Sequence, residues 1–263
     1  MTRIVRAIGK LAAASIGLGL SCGLVEAASD NIQHVEIADP RPLSAWAQRL
    51  QEQFDVVITY EDQEYANRRD VLDVTASVAP GSAFAPEQHR VLIPRGGSVA
   101  VKVPALTSET SASQNDRLVA VRTSLNDVQS DLVTRGIGGR FDIRQDGDAL
   151  HIVPHSMRDR AGKEKAAQPV LDVRVSLSTA KQSALAQIEG LCEVLSRVAR
   201  KNVVLGTAPV NALARTQVAL DAGSLPARDV LSRIIDQVPA RLSWLLLYDP
   251  GLDWWVLNIQ HVD

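Results

Sequence analysis

This chain has little cysteine, little net charge and no long apolar run after its first thirty residues. Its 263 residues include two cysteines, Cys22 and Cys192, too few for the disulfide framework of a small secreted scaffold. Lys and Arg number 28 against 30 Asp and Glu, which excludes the basic footprint of a nucleic-acid binder. Beyond residue 30 nothing approaches the roughly 20 consecutive apolar residues that a membrane helix requires. Apolar residues make up 46%, enough for a sizeable core in one large domain or two modest ones.

The N-terminus, MTRIVRAIGKLAAASIGLGLSCGLVEAASD, opens with Arg3, Arg6 and Lys10, continues with an apolar middle and ends in small residues near Ala27. That is the layout of a secretory signal at residues 1–27. Cleavage after Ala27 would remove three basic residues and Glu26, leaving 25 basic and 29 acidic, a net charge of −4, with Cys192 as the one thiol. The expected location is the periplasm. A retained anchor is a second reading, although the apolar part is short for a bilayer. A third is a lipoprotein attached through Cys22, but Leu20 stands one place nearer the cysteine than a lipobox prefers.

Hydrophobic spacing then sets out the elements. Leu43, Trp46, Ala47, Leu50 and Phe54 form one helical stripe; Leu185, Ile188, Leu191, Cys192, Leu195 and Val198 form another. Cys192 on that stripe reads as a buried apolar side chain, and Gly190 within the helix suggests close approach by a neighbouring element. In SLPARDVLSRII, Ser224 is placed to cap a helix whose buried side is Ala227, Val230, Leu231, Ile234 and Ile235, with Val238 beyond it. A hundred residues earlier Ser124 stands ahead of Leu125, Val128 and Leu132 in the same way. HVEI, DVVITY, RLVAVRT, LDVRVSLS, NVVLG and RTQVALD read as strands; RFDIRQDGDALHIV and RLSWLLLYDPGLDWWVLNI read as hairpins.

The order strand, helix, strand, strand, helix, hairpin therefore occurs twice, which indicates duplication. The first unit spans 28–153 and the second 170–263. An insertion at 61–116 holds an expected extra hairpin, RVLI against SVAVKV, and a Ser/Thr-rich connector. PHSMRDRAGKEKAAQP, 154–169, reads as a charged linker between domains.

Catalytic and ligand motifs are weak. His151 and His155 are four apart, but Pro154 interrupts the strand between them and no carboxylate or Cys is tied to them, so no metal is expected. GIGGR, 136–140, follows a helix where a phosphate loop would open one, and reads as a helix terminus. No base is fixed beside a nucleophile, so neither catalytic residues nor a cofactor are expected.

The first amphipathic helix ending in NVVLG, then a short strand, SLPARDVLSRII and the closing hairpin resemble the short N-terminal domain of secretins and TonB-dependent receptors. The resemblance covers about 170–260, and extends to the first half through PLSAWAQRLQEQFDVVITY and SLNDVQSDLVTRGIGGRFDIRQDGDALHIV. It implies an α+β fold of two small modules, each with two helices packed between short β-sheets. It also implies a non-enzymatic docking function toward an envelope protein, either a secretin-like or an inner-membrane component. The chain holds no series of ten-residue alternating segments that would build a membrane barrel, so an accessory protein is expected rather than a channel. Two rival readings stay open: a periplasmic module signalling to an inner-membrane regulator, and a hydrolase with its site in the inter-module cleft.

The two hairpins differ. Phe141 and Ile143 alternate with Asp142 and Arg144, as a sheet with one wet face requires, whereas WLLLY and WWVL are apolar on both faces. With Trp255, Leu257 and Ile259 facing the core, Trp254 and Val256 face outward. Trp254, Val256, Trp244 and Tyr248 are the expected partner-binding residues, unless the other unit or the insertion covers that face.

Overall fold

The computed structural model describes residues 32–78, 90–104, 113–221 and 223–262. The expectations for residues 1–27 and for most of the Ser/Thr-rich connector lie outside them.

In the first module the predicted stripe of Leu43, Trp46, Ala47, Leu50 and Phe54 is buried along helix α1 (Pro42–Phe54). Pro42 starts the helix without wasting an N–H, and Asp55, at φ 53°, ends it in the left-handed region. Strand β1 (Ile32–Asp39) precedes it and β2 (Val57–Glu61) follows. The expected strand RLVAVRT is instead part of helix α2 (Gln114–Thr134). Leu118, Val121, Leu125, Val128 and Leu132 are buried at steps of three and four, a helical period that overrides the short Val-Ala-Val alternation. Ser113 and Asp116 close a capping box at its start. Ser124 therefore caps nothing; it lies in mid-helix, its hydroxyl accepting the Trp46 indole N–H at 2.9 Å.

The expected inserted hairpin also resolves differently. Leu92–Pro94 pairs with Val71–Asp73, and β3 (Gly97–Pro104) pairs with all eight residues of β1. Gly96 lies between them, where a Cβ would sit 2.0 Å from the Asp39 carbonyl oxygen; only glycine lets the chain pass there and turn toward β1. Hairpin β4 (Phe141–Asp146) and β5 (Ala149–Pro154) forms as expected. The charged stretch after it is not an open linker: Ser156–Arg158 pairs with Glu164–Ala166, and Asp159 accepts the Ala161 and Lys163 N–H groups inside the turn.

The second module repeats the plan with helix α3 (Ala184–Ala199), strand β6 (Val203–Leu205), helix α4 (Ala227–Ile235) and hairpin β7 (Leu242–Asp249) and β8 (Trp254–His261). Only Arg174–Val175 of LDVRVSLS forms a strand, paired with Leu225–Pro226. That pairing puts Pro226 at the start of α4, so Ser224 does not cap it. A short helix, Val210–Arg215, precedes the strand Gln217–Val218. Space around Gly190 is open, so its expected close neighbour is absent there.

The two modules share one sheet. Its order is β6, β8, β7, β2, β5, β4: each module contributes a trio of identical connectivity, and the trios meet where β7 runs parallel to β2. Leu245 pairs with Tyr60 and Leu246 with Glu61, and the Asp62 N–H donates to the Leu246 carbonyl at 2.8 Å. Facing residues alternate along a strand, so this register sets the layers. Tyr60, Ile58, Leu150, Ile152 and Leu245 pack with α1 and α2. Trp244, Leu246, Tyr248, Trp255 and Leu257 pack with α3 and α4. The helices of the two modules thus cover opposite faces of the sheet. The second trio also points opposite to the first, so a half-turn about an axis crossing the strands, combined with a shift along that axis, relates the modules.

Duplication is visible in detail. The Gln51 side chain, three residues before the end of α1, accepts the Ile58 N–H at 3.0 Å; Ser196, three before the end of α3, accepts the Val203 N–H at 2.8 Å. Left-handed Asp55 and Arg200 follow the two helices at matching positions. The α+β class, with helices held between sheets in each half, is the one expected.

Candidate functional site

Hairpin β7–β8 presents two different faces. In an antiparallel pair, opposite residues point the same way, so Trp244 shares the side of Ile259, and Tyr248 that of Trp255. Both therefore face the helices: Trp244 is 2% exposed and Tyr248 5%. Their expected place on a partner surface is corrected by this register, fixed by the turn between Asp249 and Trp254. The outward residues are Trp254 and Val256, as expected, together with Leu247 and Val204, which lie beside Val256.

This outer face divides into two parts. Near the first module Leu245 is buried in that module's core and Leu247 packs against it. Farther out Trp254 is 36% exposed and Val256 and Val204 are half-buried, while Leu252 in the turn is open to solvent. Internal cover and a free apolar strip therefore coexist on one hairpin. Asn258 interrupts the strip, its Oδ1 accepting the Thr207 N–H at 2.9 Å.

At the joint between trios stand two adjacent carboxylates that sequence reasoning passed over, Glu61 and Asp62, each 0% exposed. Asp62 accepts five donors: Arg41 Nε at 2.7 Å, the hydroxyls of Tyr60 and Tyr65 at 2.9 and 2.6 Å, and the backbone N–H groups of Gln63 and Tyr248. Arg41 also donates to the Tyr248 carbonyl at 2.6 Å, tying the first module's helix entry to the second module's hairpin. Burial, with the Asp62 charge adding to it, holds both phenols well above the usual tyrosine range. Glu61 accepts the Leu171 N–H at 3.2 Å and pairs with Arg228 of α4, which also reaches Asp172 and lies over the Trp244 ring. Burial raises the Glu61 pKa, and Arg228 opposes it. The one signal available in sequence was DVVITYED, a strand apolar enough for a core that ends in two acids.

His151 packs into the same joint, stacked on Trp244, with Nδ1 2.7 Å from the Thr59 hydroxyl. His155 lies outside the strand, exposed beside Asp142. Among the described residues no group of three His, Cys, Asp or Glu is placed to hold a metal. Burial, and then the Arg228 charge, push the His151 pKa down from 6.5 to about 4. The unfolded chain therefore takes this proton first. The stability His151 contributes above pH 6.5 is lost progressively as pH falls toward 4, by about 3 kcal/mol. The expected result is a urea midpoint that falls steeply across this window, and His151→Gln should flatten that slope; an unchanged slope would show that His151 is not its source.

A cleft of about 410 Å³ opens between the modules, lined by Asp62, Gln63, Glu64, Met157, Lys201 and Trp255 among others. Asp62, Glu64 and Lys201 in it already have charged partners. Lys201 lies 2.6 Å from Glu64 and 2.7 Å from Asp253, and although burial works against its charge, those hydrogen bonds raise its pKa. The Asp62 oxygens are already saturated. A second, larger groove of about 840 Å³ is lined by Asp55, Asp146, His151, Asp236 and Arg241 among others. In it burial raises the Asp236 pKa and Asp146 adds to that. Cys192 is buried on the α3 stripe as expected, and burial pushes its thiol up to about 12, leaving it neutral. The glycines of GIGGR end α2, with Gly136 and Gly138 at φ 65° and 64°, also as expected. No described helix is long and apolar enough to cross a membrane.

Comparison with protein families, with curated proteins and with solved structures returned no match in any of the three.

Proposed function

We propose that this chain is an exported, non-catalytic docking module of a cell-envelope assembly, and that it grips an envelope protein through the free end of the β7–β8 hairpin. The observation that carries this reading is Trp254, a large apolar ring left 36% exposed beside half-buried Val256 and Val204 on a rigid strand. Exposed aromatic anchors on rigid elements are typical of interface hot spots. The signal-like N-terminus supports the compartment, and the resemblance to secretin and receptor N-terminal domains supports the kind of partner. Saturation of Asp62, Glu61 and Lys201 by their neighbours supports a structural role for the buried charges over an acid-base role.

A photocrosslinking residue at Val256, with the protein in its native envelope, is expected to capture one defined partner. Trp254→Ala in the same chain should reduce the capture at least about tenfold, the loss of an aromatic anchor. Its melting temperature should barely move, because the ring is outside both cores. Capture unchanged by Trp254→Ala would contradict the proposal, and so would the absence of any crosslinked product.

A further inference from the structure

The shared sheet ends in two edges that match each other. β7 meets β2 inside the chain; by the duplication β4 is the counterpart of β7, and β6 the counterpart of β2. The correspondence holds residue by residue: Ile143 stands for Leu246, Asp142 and Arg144 for Leu245 and Leu247, Leu205 for Tyr60, and Thr207 for Asp62. Ser196 and Gln129 close the first residue of each outer strand, Val203 and Phe141, as Gln51 closes Ile58 at the inner joint. Among the described residues Leu205 and Ile143, the next outward-facing positions, have no backbone partner on that side. A second copy placed by translation would set its β6 parallel to β4 of the first, repeating the inner joint. A heterologous joint of this kind does not close by itself and would propagate.

The contacts that seal the inner joint are replaced at the outer one. Leu245 and Leu247, which seal against the first module's core, become the charged Asp142 and Arg144. Asp55, which binds Arg241 across the inner joint, becomes Arg200. Arg41, which clasps the Tyr248 carbonyl, becomes Ala186. The Asp62 N–H pairs across the joint, whereas its counterpart at Thr207 is occupied by the Asn258 side chain.

We infer that the fold carries a head-to-tail interaction surface for a second copy of this chain, and that Asp142, Arg144 and Arg200 hold it shut, so that the sheet stops at six strands. Charges on an edge strand oppose edge-to-edge pairing because pairing would strip them of water.

The test is the triple variant Asp142→Leu, Arg144→Leu, Arg200→Asp, studied by sedimentation velocity beside the wild-type chain. The wild type should remain monomeric. The variant's weight-average mass should climb with concentration past that of a dimer, while its circular dichroism matches the wild type. Leu205→Pro added to the triple variant should restore the monomer: it removes an outward N–H and leaves the β6–β8 bonds intact. A monomeric triple variant would overturn the inference. So would a variant that aggregates equally with and without Leu205→Pro, because new leucines alone would then explain it. Loss of the wild-type circular dichroism would also count against it, since Asp142, Arg144 and Arg200 belong to neither core.

Discussion

Asp62→Ala is expected to lower the unfolding free energy by about 3–5 kcal/mol, the range found when one member of a buried ion pair is removed. The alanine would orphan five donors, among them the half-buried Arg41 guanidinium and the buried Tyr60 hydroxyl. Each donor was desolvated when the joint formed, and water cannot replace the carboxylate where exposure is 0%. The loss also falls on the seam between modules, since Arg41 holds the Tyr248 carbonyl only while Asp62 orients it. Urea unfolding followed by tryptophan fluorescence and by circular dichroism should therefore show a lower midpoint. The two probes should also separate, because three of the four tryptophans, Trp244, Trp254 and Trp255, lie in the second module and only Trp46 lies in the first. A loss under about 1 kcal/mol with coincident probes would mean that Asp62 is a bystander; surface substitutions behave that way.

Arg228→Ala is expected to have a comparable effect and a distinctive pH dependence. It leaves Glu61 fully buried with only the Leu171 N–H as partner, so the cost at neutral pH is again about 3–5 kcal/mol. Glu61 already has a raised pKa in the wild type, and without the arginine burial acts on it unopposed. A carboxylate whose folded pKa lies above its unfolded value destabilises the fold when charged, and that penalty is relieved as pH falls through the folded pKa. His151 acts in the same direction: burial still depresses its pKa, but without the Arg228 charge the depression is smaller, and acid removes less stability from the variant. The gap between variant and wild type should thus narrow from pH 7 to pH 5, and Glu61→Gln in the Arg228→Ala background should recover much of the loss at pH 7. A gap that stays constant with pH, or a double variant less stable than the single, would contradict the pairing.

Much of this fold could be read from spacing. The apolar stripes of α1, α3 and α4 are long enough to specify their period unaided, and the hairpins carry clear turn chemistry. What could not be read depended on partners distant in the chain. RLVAVRT alternates over a few residues, and only the longer run from Leu118 to Leu132 reveals a helix. Ser224 has the chemistry of a cap, but the pairing of Leu225–Pro226 with Arg174–Val175 moves the helix start past it. Trp254 and Val256 were correctly expected to face outward from the parity of one strand. Trp244 and Tyr248 were misplaced because their side depends on the register with β8. The joint was hidden for the same reason: Glu61 and Asp62 look like a solvated turn until β7 is laid against β2.

The modules are fused through β7 and β2 into one sheet, and amide hydrogen exchange at the Asp62 N–H tests that fusion most directly. That group donates to the Leu246 carbonyl and lies beyond the last residue of β2, where an unfused module would leave it to solvent. Fusion predicts that it exchanges as slowly as the core amides of β8 such as Leu257, through global unfolding. Exchange at the rate of an open loop amide, with Leu257 still protected, would contradict it.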